Sequence, residues 1–393
     1  MAQPLTSPYV KGNLLTLKLQ QLGSKQDALP PQLSAARVGG EVRARIVDVI
    51  EPPTLSVVVV VELLEPGQER GGLLPTSTPA AGPPATRVVL KVYDRQFSLG
   101  LREFKDKEGP ATCESEDQYR AFLRHPGAFS QFLTDYAENG RFAYEEEEWD
   151  VPRREAYFHL ATTEMHACEL KVYNRLIDLQ GLHVPTLFAD VRLAPQESGL
   201  VAPQEDLGKG GESLLVENTE LRAIMLEYTP GFLLSKLATE APESDWAAIC
   251  DQAMEAVRKI IDHDFINSDL LPRNTLVVRH DQHGDSGGGG SSGAEGDLSS
   301  PSSPSCEYQV VYIDFAQCRF RDESETDEIW RETKNQRNEE AAIGWLLESH
   351  IAYAKGKKGK KYKGPLPLPW TYTPSNRYEG EYIELCPNPG SME

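Results

Sequence analysis

The stretch that most restricts the fold lies between residues 246 and 316. Trp246, Ile249, Cys250, Ala253, Met254, Val257, Ile260 and Ile261 recur three and four residues apart, which predicts an amphipathic helix. Ser244 stands where an N-cap residue is expected. The helix pattern runs into a polar loop, Asp269-Leu270-Leu271-Pro272-Arg273-Asn274, and then into an apolar run over 275–278. A second β-rich run, 308–313, ends in Ile313-Asp314-Phe315-Ala316. Between the two runs, residues 282–305 are dominated by Gly, Ser, Asp and Pro, and are expected to be a disordered insertion in a hairpin. The stretch therefore reads as helix, loop and hairpin. A carboxylate and a carboxamide five positions apart share the loop, and a second carboxylate closes the hairpin.

Upstream, residues 1–38 are polar and broken by prolines, and are expected to form a loose lead-in. Runs 41–49, 56–63 and 87–93 predict three antiparallel strands, with Lys91 in the middle of the third. Residues 65–86 read as a loop by composition. The charged stretch 94–150 holds helical pieces around 116–123 and 129–136. Pro152 is well placed to open a further helix, along which Tyr157, Leu160, Ala161, Cys168, Val172 and Leu176 recur at helical spacing. That helix carries Glu169, and Gly181 is expected to stop it. Strand-like runs 186–193 and 223–228 follow, and two helices are predicted over about 326–334 and 338–354.

Composition excludes several classes. A net charge of -20 argues against a general nucleic-acid or anionic-membrane surface. No apolar run reaches the length of a membrane span. The first residues carry no apolar signal core, so the expected location is intracellular, cytoplasmic or nuclear. The lysines at 355, 357, 358, 360, 361 and 363 read as a solvated tail, with nuclear import or phosphate binding as the alternative. Six scattered cysteines with no C-x-x-C pair read as reduced thiols. His159 and His166 lack an evident carboxylate or Cys companion and are expected to be surface or packing residues.

Asp269, Asn274 and Asp314 stand at a spacing that resembles the protein-kinase catalytic loop and its following D-F-G. The resemblance extends to the looser versions in aminoglycoside phosphotransferases and choline kinases, and is nearest to a divergent fungal protein-kinase-like group. It covers about residues 41–354. It implies an α+β, two-lobed protein-kinase-like fold with an antiparallel-sheet N-lobe and a reduced helical C-lobe, and ATP and Mg²⁺ in the cleft between the lobes. Asp269 would orient the attacking hydroxyl, and Asn274 and Asp314 would hold the metal. Lys91 would contact the α- and β-phosphates and pair with Glu169. Arg273 would place charge near the transferred phosphate. Glu227, Tyr228 and Thr229 resemble the hinge whose backbone pairs with adenine. The substrate would be a hydroxyl-bearing protein or small molecule. The implied domains are a lead-in at 1–38, an N-lobe at 39–229, a C-lobe at 230–354 and a Lys/Pro-rich tail at 355–393.

Departures from the kinase pattern are also legible, and the first is Ala316 in place of the Gly of D-F-G. The turn expected to cover the phosphates is Glu51-Pro52-Pro53-Thr54, without Gly and with two positions that lack an N–H. Asn267-Ser268 replaces the H-R before the catalytic Asp. Leu271 occupies the place of the Lys two positions after it. No A-P-E follows Asp314. These features keep a second reading in view, a pseudokinase acting as a binding or regulatory module.

Overall fold

The computed structural model describes residues 3–65, 86–106, 111–139, 149–193, 217–280, 307–358 and 368–375. The expected insertion at 282–305 and the acidic run 145–148 lie outside the described residues, as does nearly all of the loop at 65–86. The fold is mixed α+β with antiparallel sheets. It divides into one unit of Met1–Ile177 with Thr186–Tyr228, and a second of Asp178–Pro185 with Thr229–Glu393.

The first unit is built on a closed antiparallel barrel. Its strands are β1 (Leu14–Leu22), β2 (Glu41–Ile50), β3 (Val57–Leu63), β4 (Arg87–Tyr93), β5 (Leu187–Leu193) and β6 (Leu221–Glu227). They are ordered β1-β2-β3-β4-β6-β5, and β1 pairs with β5 to close the ring. Closure leaves no strand edge unpaired. Each strand sends alternate side chains inward. Leu15, Leu17 and Leu19 from β1 meet Val88, Leu90 and Val92 from β4 in the interior. The stretch expected as a loose lead-in therefore supplies a core strand. Its Leu-x-Leu-x-Leu alternation buries one face, and its polar residues Thr16 and Lys18 face out.

Among the helices that accompany the barrel are α1 (Leu99–Asp106), α2 (Cys113–Leu123), α3 (Pro126–Asn139) and α4 (Val151–Arg175). Asp150 caps α4 by accepting the Arg153 N–H, and Pro152 sits in its first turn. The helix ends at Arg175, before Gly181, which adopts φ 76° in the following turn. Tyr119, Phe132, Trp149 and Phe158 form an aromatic core among these helices.

The second unit centres on α5 (Trp246–Ile261), whose apolar stripe is buried along its length. The helix starts one residue later than an N-cap at Ser244 requires. Asp245 holds the cap position, without a side-chain cap bond. Strands β7 (Phe232–Leu233), β9 (Thr275–His280) and β10 (Glu307–Tyr312) form one sheet. Strands β8 (Phe265–Asn267) and β11 (Cys318–Phe320) form another. Helices α6 (Asp327–Arg337) and α7 (Glu339–Lys358) are separated by Asn338 at φ 36°. Part of the expected tail packs into this unit. Trp370 Nε1 donates to Asp251 on α5 at 2.7 Å. The Tyr372 ring lies so close to Gly344 on α7 that an added Cβ would come within 2.3 Å of it.

No described helix is long and apolar enough to cross a membrane.

If β1 is a core strand, Leu17→Ala should lower unfolding stability by about 2–5 kcal/mol, the usual range for a buried Leu. Denaturant unfolding measures this, and a change below about 0.5 kcal/mol, typical of surface sites, would count against a buried β1.

Candidate functional site

Alternation along β4 decides what Lys91 can meet. Val88, Leu90 and Val92 enter the barrel, so Lys91 and Tyr93 lie on its outer face, under α4. Lys91 is only 6% exposed, and a buried ammonium requires a counter-charge. Glu169 on α4, fully buried, supplies it, with Lys91 Nζ 2.6 Å from Glu169 Oε2. The Tyr93 hydroxyl donates to the same oxygen. The Tyr93 ring stands edge-on to His166, whose Nε2 is 3.0 Å from Asp190 Oδ1 on β5. His166 thus has a carboxylate companion after all, 24 residues away and brought in by the sheet. His159 is a buried packing residue, and burial together with the Arg95 charge pushes its pKa down to about 3.

In the second unit, the loop after β8 closes on itself. Asn267 Oδ1 accepts the Asp269 N–H at 2.9 Å. Asn274 Nδ2 donates to both the Asp269 carbonyl and Asp269 Oδ2, each at 2.9 Å. Arg273, an exposed side chain, reaches Asp269 Oδ1 at 2.7 Å. With Nδ2 directed at Asp269, the Asn274 amide oxygen is the atom of that side chain left to act as a ligand. The Ile313 N–H donates to the Asn274 carbonyl at 2.9 Å, which sets Asp314 beside the loop. Asp314 has φ 68°, a left-handed conformation uncommon for a residue other than Gly, though Asp tolerates it better than most. Gln317 Nε2 lies 3.4 Å from Asp269 Oδ2.

The structure therefore brings Lys91 together with Glu169 in the first unit, and Asp269, Arg273, Asn274 and Asp314 together in the second. Glu227 and Tyr228 end the first unit, and Thr229 opens the second part of the other. Glu227 Oε2 accepts from the Thr186 N–H and hydroxyl, at 3.0 and 2.7 Å. Among the described residues no three His, Cys, Asp or Glu side chains cluster as a metal site.

Sequence reasoning missed Tyr93 and Glu339. Tyr93 had a signal, since two residues on from Lys91 in a strand is the same face. Glu339 had none. It is buried at the start of α7, where its Oε1 accepts the Asn267 N–H at 2.6 Å, so it braces the residue that orients Asp269. Burial pushes the Glu339 carboxyl up to about 7, although the Asn267 N–H and Lys334 both draw it down.

No protein-family model matches the chain, and no curated protein matches it. Among solved structures it is similar to the Rio2 kinase in complex with ADP, Mg²⁺ and phosphoaspartate from Chaetomium thermophilum, at 10% identity and a TM-score of 0.36. That similarity covers 82% of this chain, and the chain spans 60% of the other.

Removing one partner of the buried pair strands the other. Lys91→Ala should destabilise the chain by about 3–5 kcal/mol, and the double change Lys91→Met with Glu169→Leu should recover most of that. Chemical denaturation of the single and double variants checks both. A second outcome concerns Glu339. The folded chain holds its proton more tightly than the unfolded chain, whose carboxyl has the ordinary value of 4.5. Stability therefore falls as pH rises from about 4.5 to about 7, by about 3 kcal/mol from this group. Glu339→Gln should flatten that slope in unfolding curves taken across the window.

Proposed function

We propose that this chain is a kinase-like phosphotransferase that uses ATP and Mg²⁺. The γ-phosphoryl group would pass to a hydroxyl of a protein or small molecule. The observation that carries the reading is the buried contact between Lys91 and Glu169, residues 78 apart in sequence. An exposed-strand lysine would have no reason to be held this way. The pair keeps the ammonium at a fixed point, as a contact with phosphate oxygens requires.

The donor set of the second unit fits a hard divalent cation. Asn274 offers an amide oxygen and Asp314 a carboxylate, and Mg²⁺ commonly takes only one or two carboxylates beside phosphates and water. When bound, the ion would neutralise charge on the β- and γ-phosphates. Asp269 would accept a hydrogen bond from the substrate hydroxyl and hold it in line. For that, the exposed Arg273 would move from Asp269 Oδ1 toward the transferred phosphate. The backbone of Glu227 to Thr229 would pair with the adenine edge. The Pro52-Pro53 turn does not fit a phosphate cradle, because neither residue has an N–H. Lys91 and the metal would then carry more of the phosphate charge than in kinases with a Gly-rich loop.

The pseudokinase reading is favoured by that same turn. Calorimetry with ATP and Mg²⁺ separates the two, followed by radiolabelled ATP offered with protein and metabolite pools. For a phosphotransferase, Lys91→Met and Asp314→Asn should each weaken nucleotide binding by about tenfold or more, a loss of at least 1.4 kcal/mol. Asp269→Asn should preserve binding and lower turnover by about 10²–10⁴-fold. Binding without turnover in any pool, or no binding at all, would remove the phosphotransferase and leave the pseudokinase.

A further inference from the structure

A cavity of about 730 Å³ opens in the first unit, at the end of the barrel where β1 and β6 begin and β4 and β5 finish. Helices α2 and α4 contribute to its walls, and it is within the size range of sites for drug-sized molecules. One side is apolar and aromatic, with Tyr9, Leu15 and Phe97. Most of its charged groups are already matched. The Tyr9 hydroxyl donates to Asp94 at 2.7 Å. Glu116 receives Arg95, Gln96 and Arg120.

Arg222 is the exception. It lines the cavity from the start of β6, half-buried, and its side chain forms no hydrogen bond or ion pair with another described residue. Three carboxylates lie near it, and Glu217 among them is exposed. Asp190 is 3.0 Å from His166 and 3.5 Å from Arg192, and Glu220 is 3.7 Å from Arg192. Burial and the Arg192 charge draw the Arg222 pKa down, against the opposing pull of Asp190, Glu217 and Glu220. The neighbouring His159 is held neutral and adds no competing donor charge. A guanidinium with its fork open, at the rim of a cavity with an aromatic wall, is arranged for an acid group attached to an apolar body.

We propose that this cavity is a binding site for a small organic acid, whose carboxylate or phosphate pairs with Arg222 and whose apolar part lies against Tyr9, Leu15 and Phe97. The assignment is independent of the nucleotide reading, since none of these residues belongs to it.

The test is ligand-observed NMR on the full chain with three probes of similar shape: benzoate, phenyl phosphate and the neutral benzyl alcohol. At least one anion should bind saturably and at least tenfold more tightly than the alcohol, and the tighter of the two identifies the acid. Arg222→Gln should weaken that anion at least tenfold, and Arg222→Lys less. Leu221→Trp keeps the arginine and fills the space beside it, and should also block binding. The proposal is overturned if neither anion binds, if the alcohol binds equally well, or if Arg222→Gln, shown to be folded by its thermal transition, binds the anion unchanged.

Discussion

A lysine in the middle of a barrel strand has two faces on which to lie, and both are dry here. The inner face is filled by Leu, Val and Ala side chains, and the outer face is covered by α4. The Lys91 ammonium is tolerated only because Glu169 is delivered opposite it, and that delivery sets the register of α4 against the barrel. Tyr93, His166 and Asp190 extend the same polar layer, each satisfying a neighbour while the apolar cores on either side stay intact. Isolated charges at such depth would each cost several kcal/mol, so the layer has to form together.

The second unit solves a different problem, that of holding a loop of polar side chains still. It does so with short-range bonds. Asn267 caps the Asp269 N–H, Asn274 closes the loop onto Asp269, and Ile313, just after β10 and just before Asp314, donates its N–H to the Asn274 carbonyl. Behind the loop stands Glu339, a buried carboxyl on the far side of Asn267. The loop is thus positioned from two elements that share no sequence neighbourhood with it, β10 and α7.

What could be read in advance follows from the range of the interactions. The helix over 246–261 was legible to its last residue because its period is carried entirely within it. Asp269, Arg273 and Asn274 were legible as a group because they are local. The first strand was misread as a lead-in although Leu15, Leu17 and Leu19 alternate. Its prolines upstream suggested disorder, and only one of its two partners, β2, is near in sequence, while the other, β5, lies more than 160 residues downstream. The His166 contact with Asp190 was hidden for the same reason, since a sheet had to bring the two together. Glu339 could not be found at all, because nothing in its neighbours announces that a charged residue opening a helix will be buried.

The docked segment at 368–375 has a bearing on how the chain is made. Glu340 on α7 accepts from the backbone N–H and hydroxyl of Ser375 and pairs with Arg258 on α5, and Trp370 and Tyr372 are buried nearby. Every strand of the barrel has been synthesised once Glu227 is in place. The second unit, by contrast, waits for residues 368–375 to emerge before its helices are sealed. During translation the barrel can mature first, while α5 and α7 keep an open apolar seam until that later segment arrives.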